Sequence, residues 1–115
     1  MIGLLESGCC ADTIAGLMRG FGLEVEIAAS PVDTLAMAHR LRPQGVLIAL
    51  DIPGLREIDE LTTFVSNLRK AGVTMVLGMS TTLDELSAIS FGLDGFIPKG
   101  QIVDRIGEIV ELMCG

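Results

Sequence analysis

The chain has 115 residues, half of them apolar but only 3% aromatic, and a formal net charge of −7. That length fits one core built from Leu, Ile, Val, Met and Ala and leaves no room for two domains, so residues 1–115 are expected to fold as one unit. Eight scattered Lys and Arg against fifteen Asp and Glu exclude a nucleic-acid surface, which needs clustered cations.

No apolar run approaches the length that crosses a bilayer, and Met1 to Cys10 carries Glu6 without the basic start of a secretion signal. A cytoplasmic location with no membrane partner is the expectation. Cys9, Cys10 and Cys114 are an odd set without metal spacing, and His39 is the sole histidine, which argues against a disulfide framework, a His-rich zinc site and a Ser-His-Asp site.

Ile2 to Leu5 reads as a first strand ending at the polar turn Glu6-Ser7-Gly8. Asp12 is a candidate cap for a first helix carrying Ile14, Leu17, Met18 and Phe21 at helical spacing. After the stop signals Gly20 and Gly22, Leu23 to Ile27 alternates apolar and acidic residues, as an edge strand does. Ser30-Pro31-Val32-Asp33 opens a second helix with a Ser cap, Pro at the first position and an acid at the third, and the helix ends before Pro43.

Val46 to Leu50 is a continuous apolar run, as in a strand covered on both faces, and it stops at Asp51 before the turn Ile52-Pro53-Gly54. A third helix from about Arg56 to Lys70 is marked by Ile58, Leu61, Val65 and Leu68 and closed by Gly72. Val73 to Met79 is another buried strand. It leads through Ser80-Thr81-Thr82 into a fourth helix, capped by Thr82, with Asp84 and Glu85 in its first turn and Leu83, Leu86 and Ile89 on its packed side. Gly95 to Ile97 is a short fifth strand broken by Pro98, and Ile102, Ile106, Ile109, Val110 and Met113 mark a fifth helix.

Strands alternating with helices, without hairpin signals, imply right-handed crossovers and a parallel sheet covered on both faces. With strands one, three and four central and two and five at the edges, the expected fold is α/β: a five-stranded parallel sheet of flavodoxin-like order 2-1-3-4-5. Its crevice lies at the carboxyl ends of strands one and three. That order brings together Glu6, Ser7, Asp51, Ser80, Thr81 and Lys99. A carboxylate at such a strand end can attack a phosphoryl donor, provided a cation offsets the repulsion between the anions, and Mg²⁺ suits one or two carboxylates with phosphate oxygens.

Leu47-Ile48-Ala49-Leu50-Asp51-Ile52-Pro53-Gly54 resembles the phosphoacceptor segment of response regulator receiver domains, and Gly95-Phe96-Ile97-Pro98-Lys99 resembles their lysine strand. The resemblance extends over essentially the whole chain. It implies a two-component phosphorelay in which Asp51 takes the phosphoryl group from a histidine kinase or phosphotransfer protein, with Ser80, Thr81 and Lys99 contacting it. It further implies Mg²⁺ held by Glu6, Asp51 and the Pro53 carbonyl. Phe96 matches an aromatic that turns inward on activation and reshapes the face of the fourth helix, fifth strand and fifth helix, where a downstream protein or a second copy binds.

Three departures stand out. Glu6-Ser7 replaces the family's acidic pair, and a hydroxyl adds no charge for Mg²⁺. The turn after Asp51 is shorter than Asp-x-x-Met-Pro-Gly, and Gly100 follows Lys99 where Pro is common. A phosphorylation-independent pseudo-receiver acting as an interaction module is therefore the alternative. Cys9 and Cys10, after the first strand, resemble the nucleophile of cysteine phosphotransfer subunits, a reading that leaves Asp51 and Lys99 unused. No Gly-rich phosphate loop, dinucleotide fingerprint or catalytic His points to an enzyme, and without Trp or Tyr no ring is available to stack on FMN.

Overall fold

The structure is a computed structural model and describes residues 1–6, 8–52, 55, 58–80 and 92–114. The strands are β1 (Ile2–Leu5), β2 (Val25–Ala28), β3 (Gly45–Ala49), β4 (Met75–Ser80) and β5 (Gly95–Pro98). The helices are α1 (Gly8–Gly20), α2 (Pro31–Leu41), α3 (Ile58–Lys70) and α4 (Ile106–Cys114), the last being the fifth helix of the sequence reading. The expected fourth helix, with its cap Thr82, lies outside the described residues, as do Ser7, Pro53, Gly54 and Thr81.

All strands are parallel and ordered β2-β1-β3-β4-β5, with Leu4 level with Leu47 and Leu47 with Leu77. Burial explains the order. Every residue of β1 and β3 is shut from water, whereas β2 exposes Glu26 and β5 is half-open at both ends, so the fully apolar strands lie inside and the others at the edges. Pro98, which has no N–H to donate, closes β5 on the sheet's rim, where its loss from the ladder costs little.

α1 packs beside α4, and α2 beside α3. The core that they cover centres on Leu4, Leu47, Ile48, Leu77, Met79 and Ile109, with Met18 and Met37 filling the gaps under the helices. His39 is exposed near the end of α2, as the sequence implies. Among the described residues no helix is long and apolar enough to cross a membrane.

Several strand ends shift by one or two residues from the sequence reading, β2 starting at Val25 and β4 at Met75, and two larger differences concern helices. α1 begins at Gly8, not after Asp12: Gly8 takes a positive φ of 68°, a conformation open to glycine, which turns the chain directly from β1 into the helix. Cys9 and Cys10 therefore sit in the first turn of α1, and Asp12 is an exposed helix residue, not a cap. Ile102 is buried, yet it belongs to the turn that follows a 3₁₀ segment over Lys99–Gln101, because an apolar residue four positions before Ile106 can reach the core from a turn as well as from a helix.

The start of α2 follows its sequence signals: the Ser30 hydroxyl accepts a 3.2 Å hydrogen bond from the Asp33 N–H, and Arg42 in the left-handed region closes the other end. Ser30→Ala should lower stability by about 1 kcal/mol. Urea unfolding should record this as a lower midpoint with an unchanged slope.

Candidate functional site

The site is built where four strands run out at one end of the sheet. The backbone pairing of β1 continues one residue past the strand, as the Glu6 N–H donates to the Ala28 carbonyl at 3.2 Å, so Glu6 leaves the sheet in a fixed direction. Similarly, Leu50 donates to the Met79 carbonyl at 2.9 Å beyond the end of β3, and Ile52 and Leu55 are buried just after it. Asp51 is thus held in a tight turn between anchored apolar residues. Ser80, the last residue of β4, is buried beside it.

The approach of Lys99 is fixed from further away. Asp94 Oδ2 accepts from the Val76 N–H at 2.8 Å and from Arg69 at 3.1 Å, and the Asp94 N–H returns a bond to the Val76 carbonyl at 2.8 Å. This clamp of β4, α3 and the entry to β5 sets where β5 starts, and hence where Lys99 emerges. The sequence reading missed Asp94; its signal was an acid standing immediately before the Gly95 that begins a strand.

Two contacts organise the described part of the crevice. The Ser80 hydroxyl donates to Asp51 Oδ1 at 2.9 Å. The Lys99 ammonium stands 2.7 Å from Glu6 Oε2, with the Glu6 side chain 6% exposed and that of Lys99 22% exposed. The structure therefore brings together Glu6, Asp51, Ser80 and Lys99, while Ser7, Thr81 and Pro53 lie outside the described residues. Phe96 is buried in β5, with Ile97 and Pro98 between it and Lys99. Cys10 is exposed in α1, close enough to Lys99 for its charge to act on it.

Burial of the Lys99 ammonium lowers its pKa, but the hydrogen bond and charge of Glu6, with smaller contributions from Asp51 and Cys10, outweigh this and leave it above the ordinary 10.5. The stability that the pair contributes is accordingly complete below pH 10.5 and is lost as pH rises through the raised value in the folded state.

A divalent cation would draw on the same groups. Among the described residues no cluster of three His, Cys, Asp or Glu side chains is placed to hold a metal ion. One Glu6 oxygen already faces an ammonium at 2.7 Å, and one Asp51 oxygen accepts the Ser80 hydroxyl. Mg²⁺ demands near-octahedral oxygen donors and would meet the positive charge of Lys99 at this position. As paired, these residues do not fit a resident Mg²⁺.

The fold is that of response regulator receiver domains. The receiver domain of the Francisella response regulator 1452 superposes with a TM-score of 0.78 at 18% identity, covering 97% of this chain and 93% of that one. The BeF3-activated N-terminal receiver domain of Klebsiella pneumoniae RstA gives 0.80 at 13% identity, covering 99% and 97%. The response regulator domain of Thermotoga maritima CheB gives 0.71 at 15% identity, covering 97% and 94%. No protein-family model matches the chain. In sequence, the chain is 34% identical over 92 residues to a protein of Thiocystis violacea described as "Uncharacterized 76.5 kDa protein in phbC 3'region"; the match takes in 77% of this chain, which spans 13% of that protein's length.

Replacing Glu6 with Gln removes the negative charge that raises the Lys99 pKa, leaves at most a hydrogen bond to a neutral oxygen, and keeps the burial that lowers it. A ¹³Cε NMR titration of Lys99 should therefore give a lower pKa in Glu6→Gln than in wild type. Equal values in the two proteins would mean that the ion pair does not form in solution.

Proposed function

We propose that residues 1–115 form one cytoplasmic receiver-like domain that serves signal transduction, with Asp51 as phosphoacceptor. The observation that carries this reading is the 2.9 Å contact between Ser80 and Asp51 at the mouth of the crevice, on the same sheet end as Lys99. In this reading an Asp51 oxygen attacks the phosphorus of a phosphohistidine on a kinase or phosphotransfer protein, and the phosphorus–nitrogen bond breaks. The Ser80 hydroxyl then turns from Asp51 to a phosphoryl oxygen, Thr81 adds a second hydroxyl, and Lys99 supplies positive charge where negative charge collects.

Output follows the route from Lys99 through β5 to Phe96 and the face beside α4, where a downstream protein or a second copy would bind. The domain turns over no small molecule in this account. A second reading, a pseudo-receiver that binds its partner without phosphorylation, is favoured by the Glu6 and Lys99 pair, which ties up one carboxylate of the crevice. A cysteine phosphotransfer role for Cys10, which is exposed in α1, would leave the Ser80 and Asp51 contact without a use.

The two readings separate in an amide NMR titration with beryllofluoride, a phosphoryl mimic, added with and without Mg²⁺. Shifts at Asp51, Ser80 and Lys99 that spread to Phe96 in wild type and vanish in Asp51→Asn are expected of the phosphoacceptor. Unmoved signals at millimolar mimic would leave the pseudo-receiver.

A further inference from the structure

We propose that the groove between α2 and α3 is a docking site for a basic amphipathic helix of a partner protein. Its apolar lining is Pro31 and Leu35 of α2, Phe64 of α3 and Leu55 of the connection before α3, around a volume of about 460 Å³. Leu55 and Phe64 are buried at its floor, whereas Leu35 is only half-buried, so the α2 wall keeps apolar surface in contact with water. Val32, three positions before Leu35 and therefore its neighbour on the helix surface, is 76% exposed. An apolar strip left open between two helices fits the hydrophobic side of a third.

Charge decides which helix. Asp59 and Glu60, both exposed in the first turn of α3, stand on the rim of the groove, and its other lining residues, Thr63 and Asn67, are uncharged. Among the described residues the ion pairs join Arg40 to Glu26, Arg69 to Asp94, Lys99 to Glu6 and Arg105 to Glu108, so none offsets these two acids. In sequence, Arg56 to Glu60 holds one cation against three acids, within a chain of net charge −7. A second copy pairing through the same groove would set acid against acid, and a nucleic acid or an anionic membrane would meet the same repulsion. Lysines or arginines flanking an apolar stripe meet no such barrier. The surface is also separate from the face proposed for output, because right-handed crossovers place α2 and α3 on the side of the sheet opposite α1 and α4. Docking there needs no phosphoryl group on Asp51.

The test is an amide NMR and fluorescence-anisotropy titration of the chain with a designed peptide of about 18 residues, long enough to hold a helix, with leucines at every third or fourth position and lysines beside them. Shifts are expected at Leu35, Thr63, Phe64 and Asn67, with an affinity that falls as salt is raised. Asp59→Asn combined with Glu60→Gln should weaken binding by about fivefold, and Val32→Ser should weaken it while leaving the unfolding midpoint unchanged. The same peptide with glutamates in place of its lysines should leave the signals unmoved. Absence of binding at millimolar peptide would overturn the proposal, as would shifts centred on another face, or equal affinity for the glutamate peptide or for the variant without the two acids. Groove signals that move with the concentration of the chain alone would also overturn it, making a second copy the occupant. No titration contains a phosphoryl mimic, so failure here leaves the beryllofluoride result on Asp51 standing, and the converse holds too.

Discussion

A carboxylate shut away from water keeps its charge only beside a cation, and in this chain Lys99 is that cation for Glu6, at 2.7 Å. The two residues follow β1 and β5, which are not neighbours: β3 and β4 lie between them. Three strand spacings, about 14 Å, separate such strands, and the two side chains together must cover that gap. The pair therefore spans the mouth of the crevice and draws its far edge toward its centre. Much of the surrounding architecture serves this geometry, from the Glu6 backbone bond to Ala28 to the Asp94 clamp that fixes the start of β5.

The Asp51 and Ser80 contact is a second arrangement, at the ends of the two strands in between, and the Asp51 charge also acts on Lys99. The separation matters chemically. One carboxylate stands 2.7 Å from an ammonium and the other accepts a hydroxyl hydrogen bond, so the two acids have different surroundings despite sharing a crevice. Asp51 is the half-exposed one, whereas Glu6 is enclosed. Likeness to receiver domains at 13 to 18% identity carries the fold and stops there, so this division of labour has to be argued from the residues themselves.

Much of this was legible in the sequence because burial leaves plain marks. The run Val46 to Leu50 could only be an inner strand, and its abrupt end placed Asp51 at the rim; alternating glutamates put Leu23 to Ile27 at an edge. Ser30-Pro31-Val32-Asp33 announced a helix start, and the structure has it. What misled was local chemistry with two meanings. Asp12 looks like a cap, yet it is only a polar residue on the outer face of α1, because Gly8 had already made the turn. Ile102 keeps helical spacing with Ile106 from within a turn. Strand order put Glu6, Asp51, Ser80 and Lys99 in one place, but which acid meets the lysine depends on side-chain reach and on the anchoring of each strand end. No periodicity encodes that.

The central claim, that Glu6 and Lys99 act as one unit, is tested most directly by a double-mutant cycle in urea unfolding at neutral pH with Glu6→Gln, Lys99→Met and the pair combined. The account predicts a coupling energy on the order of 1 to 3 kcal/mol, each single change costing more alone than in the presence of the other. Additive changes, with coupling within about 0.3 kcal/mol of zero, would contradict it.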